Sequence, residues 1–210
     1  MAKGPMYIVK YRRKRKGLTN YHKRLRLLKS EKPRLVVRRS SNNTICQVIK
    51  YVRDGDKTVA SFDSLKLRKY DYKGHCGNIP ASYLAGYACG LKAKKAGINE
   101  AVLDTGLYRS VKGSRIYAAL KGFVDAGVNV EHDEGILPEE RRTQGYHIAN
   151  YASILQKEKP EEYEKIYFQV LKRGLKPEEF VEHFNETKKR LTSEFSGGNI
   201  SAKKSEGEEQ

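Results

Sequence analysis

The stretch RLVVRRSSNNTICQVIKYVRDGDKTVASF, residues 34–62, decides the fold class. It holds three runs rich in Val, Ile and Thr: RLVVRR, TICQVIKYV and KTVASF. Each has the length and composition of a strand. The first two are joined across Ser40-Ser41-Asn42-Asn43, the second and third across Arg53-Asp54-Gly55-Asp56. Asp-Gly between apolar runs is a strong hairpin signal, because both residues tolerate the positive φ that a tight turn requires. The stretch therefore reads as an antiparallel meander.

Toward the C-terminus, NIPASYLAGYACGLKAKKAG (78–97) reads as a helix with Asn78 as N-cap, Pro80 in the first turn and Gly97 as stop. Tyr83, Leu84, Tyr87 and Leu91 supply its apolar face, and Gly86 and Gly90 permit a close neighbour. AVLD (101–104) is a short buried strand, GSRIYAALKGFVDAG (113–127) a second helix and VNV (128–130) a further strand. The order β-β-β-α-β-α predicts an α/β fold, a mixed-sheet sandwich in which a fourth strand extends the meander on its parallel side. Right-handed crossovers would place the helices on the faces of one sheet.

Beyond residue 131 the character changes. EHDEGILPEERR is acidic and turn-like, TQGYHIANYASIL and EEYEKIYFQVLKRG are helical, and PEEFVEHFNETKKRL is a short helix with acids in its first turn and Lys188 to Arg190 in its last. Nothing there makes a second full core. The expected organisation is a basic arm with a short helix (1–30), an α/β core (31–130), a helical extension (131–195) and a mobile tail (196–210).

The N-terminal segment is distinguished by charge. The chain has 210 residues and a formal net charge of +17. Residues 1–80 contain 22 Lys or Arg against 5 acids, whereas residues 81–210 contain 20 of each, so the whole excess lies in the first two-fifths. Solvated faces usually mix signs; segregation of this size is the footprint of a phosphate-binding surface. The arm carries five consecutive cations, Arg12, Arg13, Lys14, Arg15 and Lys16, and too few apolar residues to pack, so it should be extended and ordered only by a partner. In LTNYHKRLRLLK, Thr19 or Asn20 can cap a helix. Tyr21, Leu25 and Leu28 share one face of it, and His22, Lys23, Arg26 and Lys29 take the others. Residues 63–78 read as a loop in which Lys66, Arg68, Lys69 and Lys73 alternate with Tyr70 and Tyr72, a composition able to pair phosphates and stack unpaired bases.

Signatures of catalysis are weak. Asp104-Thr105-Gly106 matches an aspartic-protease triplet in a chain with no second copy, and reads as a strand-ending turn. Cys46, Cys76 and Cys89 lack metal-ligand spacing and are expected to be free buried thiols in a reducing, cytoplasmic setting. No apolar run approaches the roughly 18 residues of a spanning helix, and no signal peptide is evident. A metal-dependent nuclease is the enzymatic alternative, with Asp54, Asp56 and Asp63 as its only carboxylates on the meander. A third reading is a scaffold that recruits acidic proteins through the arm.

The strings YHKRLRLLKSEKPRLVVRRS (21–40), GNIPASYLAGYACGLKAKKAGINEAVLD (77–104) and GYHIANYA (145–152) are long and specific. Through them the chain resembles the 5S rRNA-binding family of large-subunit ribosomal proteins conventionally numbered eighteen, in its archaeal branch, over roughly residues 5–152. The resemblance implies a core of ribonuclease H-like topology without catalysis or cofactor. It implies a place in the central protuberance of the ribosome, with 5S rRNA, large-subunit rRNA and neighbouring ribosomal proteins as partners and no membrane. Carried over by position, Arg12 to Arg15 and Tyr21, His22, Arg24, Arg26 and Leu28 would meet rRNA. Arg34, Arg38, Arg39, Asn42 and Asn43 would flank them, and Gly77-Asn78-Ile79-Pro80 would fix the entry to the first long helix.

Overall fold

A computed structural model describes residues 4–196. In chain order its elements are α1 (Arg12–Arg15), α2 (Tyr21–Leu28), β1 (Arg34–Arg39), β2 (Thr44–Val52), β3 (Gly55–Asp63), α3 (Ile79–Lys95), β4 (Glu100–Asp104), α4 (Arg115–Asp125), β5 (Asn129–Val130), α5 (Glu140–Gln144), α6 (Tyr146–Glu158), α7 (Pro160–Lys172) and α8 (Phe180–Ser196). Single 3-10 segments occupy Ser64–Tyr70, Glu134–Ile136 and Pro177–Glu179. The fold is mixed α/β. Its five strands lie in the order β3-β2-β1-β4-β5. β1 pairs antiparallel with β2 and β2 with β3, while β4 joins β1 in parallel and β5 joins β4 in parallel. β1 is thus a central strand, which is why its first four residues are buried without alternation.

Leu35, Val37, Cys46, Val48, Ala60 and Phe62 point to one face of the sheet and form the core with α3 and α4. Both helices lie on that face, side by side, rather than one on each. They cross backbone to backbone: a Cβ built on Gly86 would stand 1.9 Å from the Ala119 carbonyl oxygen, and one on Gly122 2.1 Å from that of Tyr83. Changing Gly86 to alanine should therefore force the helices apart and cost about 3 kcal/mol, the upper range for overpacking. Urea unfolding would measure it, and a loss below about 1 kcal/mol would show that the crossing yields easily.

Sequence periodicity gives α3 one apolar face, yet it is buried on all sides from Pro80 to Gly90. The reason is α8, which runs over its outer surface. Tyr87 meets Thr192, and the Lys188 ammonium donates to the Tyr83 hydroxyl at 2.8 Å while lying 5.1 Å from the ring centroids of both Tyr83 and Tyr87. Predicted as a short helix ending near Arg190, α8 in fact continues to Ser196, so Lys188 to Arg190 sit in its middle and do not cap it. Phe180, Phe184 and Leu191 belong to the main core. The segment read as a separate extension thus supplies part of the central packing. α6 and α7 keep a small cluster of their own, Ala152, Leu155, Tyr163 and Tyr167. Cys46, Cys76 and Cys89 are free and buried. The part of the expected mobile tail from residue 197 onward lies outside the described residues.

Candidate nucleic-acid interface

The face of the sheet opposite α3 and α4 is where the basic segment sits. α2 begins at Asn20, whose side-chain oxygen accepts from the Lys23 N–H at 3.1 Å, a standard N-cap. It lies over β1 and β4 with Tyr21, Arg24, Leu27 and Leu28 half-buried. Leu25, expected on the inner face, is 57% exposed. The helix is turned so that Arg24 faces inward, because Arg24 has a partner there: its guanidinium meets the Asp56 carboxylate at 3.0 Å. The Lys23 ammonium donates to Thr105 Oγ1 at 2.9 Å and to the Gly106 carbonyl at 3.2 Å, pinning α2 to the end of β4.

Beneath α2 the ion pairs form a chain. Arg34, 3% exposed, donates through one terminal nitrogen to Asp56 at 2.8 Å and through the other to Asp104 at 3.0 Å. Arg38 reaches the other oxygen of Asp104 at 3.2 Å and its backbone carbonyl at 2.7 Å. The Gly106 N–H donates to Asp104 at 2.8 Å, the strand-ending turn expected of Asp104-Thr105-Gly106. Burial pushes the Asp104 carboxyl up, but Arg38, the Gly106 N–H and Arg34 together outweigh it and hold the group below the usual carboxylate range.

Several residues carried over as RNA contacts therefore have structural work instead. Arg34 is consumed by the two carboxylates, and a side chain this buried offers no surface to a nucleic acid. Arg24 and Arg38 divide between the network and the surface. Asn43 donates to the Asp63 carboxylate at 3.3 Å and fixes the β1–β2 turn, where the Ser40 N–H donates to the Asn43 carbonyl at 2.8 Å. Tyr72, taken for a stacking residue, is 2% exposed, with its ring stacked on His183. Tyr70 packs on Phe62 and Phe195 and donates its hydroxyl to Glu194 at 3.0 Å. The supposed loop that carries these tyrosines is largely the 3-10 segment Ser64–Tyr70, capped by Asp63, and its tyrosines hold α8.

Apart from the half-buried Tyr21 and Leu28, the remainder faces solvent. Residues 4–18 are exposed throughout, and Arg12, Arg13, Lys14 and Arg15 form the single turn of α1 where an extended arm was expected. The Arg13 Nε–H donates to Thr19 at 2.9 Å, folding α1 back toward α2. His22, Arg26 and Lys29 line the outer side of α2. Arg39, 5.0 Å from the Tyr108 ring centroid, and Asn42 are exposed at the turn end of the sheet. Arg68 and Lys69 are exposed on the 3-10 segment.

Sequence reasoning missed Tyr11 and Arg115. Tyr11, 71% exposed, lies against Tyr21 with ring centroids 5.1 Å apart; its position directly before five cations was the available signal. Arg115 donates to the carbonyls of Ser40 at 2.9 Å and Gly77 at 2.6 Å, tying the β1–β2 turn to the start of α4.

The nuclease alternative fails on geometry. Asp56 opposes Tyr51 and Asp63 opposes Ile45, so the two carboxylates lie roughly 20 Å apart along β3, whereas a two-metal site needs its ions within about 4 Å. Asp56 is already neutralised by Arg24 and Arg34.

The family described as ribosomal large subunit proteins 60S L5 and 50S L18 matches residues 6–100 and 91–133. These spans contain α1, α2, the whole sheet, α3 and α4. The chain belongs to this family, the 5S rRNA-binding proteins of the large ribosomal subunit.

Proposed function

We propose that the chain is a non-catalytic structural protein that grips 5S rRNA with α1, the outer side of α2 and the turn end of the sheet. In doing so it attaches 5S rRNA to the large-subunit rRNA in the central protuberance of the cytoplasmic ribosome. The observation that carries this is the division of labour among the cations. One set is locked to carboxylates and holds α2 in place, and a second set, Arg12 to Arg15, Arg26, Lys29, Arg39, Arg68 and Lys69, is left at the surface. A duplex RNA presents phosphates and 2′-hydroxyls rather than readable base edges, so cations held on a preformed scaffold are the suitable recognition device. Tyr11 is available to an unstacked base, and Asn42 to the sugar–phosphate backbone.

Neighbouring ribosomal proteins would meet α6 and α7. Tyr151, Ile154, Ile166 and Phe168 on α6 and α7 are 50–62% exposed, an apolar surface of the kind that marks protein contacts. Among the described residues no helix is long and apolar enough to cross a membrane.

The test is replacement of Arg12, Arg13, Lys14 and Arg15 together by alanine. α1 buries no residue, so the fold should be unaffected. The dependence of log affinity for 5S rRNA on log salt should flatten by about 3 to 4, close to one per lost phosphate contact. Binding isotherms that superimpose on the unmodified protein at every salt concentration would remove α1 from the interface.

A further inference from the structure

α7 carries two stripes that are apolar in part, and one of them is left open. Tyr163 and Tyr167 pack with Ala152 and Leu155 of α6. Ile166, Gln169, Val170 and Arg173 recur at i, i+3, i+4 and i+7 along a second stripe, which borders a groove of about 530 Å³. Ile148, Pro177 and Phe180 complete its apolar wall. Ile166 is 56% exposed, and Phe168, also on the groove, 62%.

The charge of this lining is one-sided. Lys165 and Arg173 belong to it and no carboxylate does, although α7 also carries Glu161, Glu162 and Glu164. Among the described residues Lys165 has no anionic partner. Arg173 donates to the carbonyls of Lys73 at 3.2 Å and Gly74 at 3.3 Å, neither of which neutralises it. Glu178, next to Pro177 in the chain, accepts instead from the Tyr163 hydroxyl at 3.2 Å. His75 lines the same groove, and burial followed by Arg173, Arg115 and Arg68 holds its imidazole below the ordinary value. Three guanidiniums thus raise the potential there, with no carboxylate acting in return.

We propose that this groove is the docking site of an acidic protein segment, whose apolar side chains enter between α7 and Phe180 while its carboxylates meet Lys165 and Arg173. The proposal rests on the reading that α6 and α7 meet a neighbouring protein, and it states the chemistry of that neighbour. The two cations stand about 12 Å apart along the helix axis. Matching carboxylates are therefore about eight residues apart in a helical partner and about four in an extended one, with the apolar anchors between them. An apolar groove beside a helix is a common seat for such amphipathic segments. RNA is the less suitable occupant: its phosphates would satisfy the cations but leave Ile166 and Phe168 against a polar backbone.

Selection of displayed random peptides against the full chain reads this chemistry without choosing a partner in advance. Peptides of about 12 residues are long enough to span both cations in either conformation. Ile166→Asp serves as the counter-selecting variant; Ile166 and Lys165 are exposed, so changes there should leave the fold intact. Peptides retained by the unmodified chain alone should carry apolar anchors flanked by Asp or Glu. A fluorescein-labelled peptide of that consensus should bind Ile166→Asp about tenfold or more weakly, as for loss of an anchor. It should bind Lys165→Glu about two- to fivefold more weakly, the worth of one exposed ion pair. Saturating 5S rRNA should leave the peptide bound. Retained peptides that lack acids would overturn the proposal while keeping a protein contact at α7, and no Ile166-dependent retention would overturn both. Displacement of the peptide by 5S rRNA would also overturn it, by making the groove an RNA surface. An acidic consensus in a chain that fails to bind 5S rRNA would uphold the groove and remove the RNA reading.

Discussion

Replacing Asp104 by alanine is expected to destabilise the protein by about 3–5 kcal/mol, the cost of leaving one partner of a buried ion pair uncompensated. Arg34 would keep only Asp56, and Arg38 would lose its charged partner and keep its bonds to backbone carbonyls. For a chain of this length the loss corresponds to a fall in melting temperature of roughly 10 °C or more. The effect carries a pH signature. Asp104 is held below its ordinary value when folded, so its contribution is fully present above the unfolded carboxylate range near pH 4 and disappears as pH falls through the lower folded value. The variant and the unmodified protein should therefore converge in stability under strongly acid conditions. Urea unfolding at neutral and acid pH would measure both. A neutral-pH loss under about 1 kcal/mol would mean that the network is ornamental. The double replacement Arg34→Met with Asp104→Leu should recover much of the stability, since apolar pairs of similar volume often equal buried ion pairs. It would nevertheless leave α2 less firmly seated, because Asp56 would retain Arg24 alone.

Raising salt from about 50 to 200 mM is expected to weaken 5S rRNA binding by on the order of 10³–10⁵-fold. The surface set in Arg12 to Arg15, Arg26, Lys29, Arg39, Arg68 and Lys69 supplies enough cations for the roughly 6–10 phosphate contacts that such a loss requires. The slope of log affinity against log salt should lie at roughly −5 to −8. Fluorescence anisotropy with labelled 5S rRNA would give it directly. A slope near zero would indicate recognition by hydrogen bonding or stacking and would sink the electrostatic account. The network arginines should respond differently. Arg34 faces no solvent, so a conservative Arg34→Lys change should alter stability far more than the salt slope.

The meander was legible because β-branched runs and Asp-Gly turns are local signals. The bounds of β1 and β2 fall where RLVVRR and TICQVIKYV were read, and β3 gains residues at both ends. The cap at Asn78 was legible for the same reason, since its side chain accepts from the Ala81 N–H three residues on. What failed required knowledge of partners distant in sequence. Arg34 and Arg26 look alike in the chain, and only the arrival of Asp104, seventy positions later, separates a buried ion pair from a surface cation. Tyr72 has basic neighbours that suggest stacking on bases, but His183 on α8 claims its ring. The length of α8 was underestimated because Lys188 to Arg190 mimic the cationic last turn of a helix, and the TSEF that follows contains no stop signal.

The seat of α8 on α3 also has a bearing on biosynthesis. Phe184 and Leu191 close a core whose floor is laid by residues 35–62, so roughly 130 residues of chain must emerge between floor and lid; at typical elongation rates of about 5–20 residues per second this takes on the order of ten seconds. Throughout that interval the arm and the meander are outside the exit tunnel, strongly cationic, beside apolar surface that nothing yet covers. The nascent chain is thus most adhesive at the stage when its cationic segment is already complete. An early anionic companion, RNA or a chaperone, would serve it best during synthesis rather than after release.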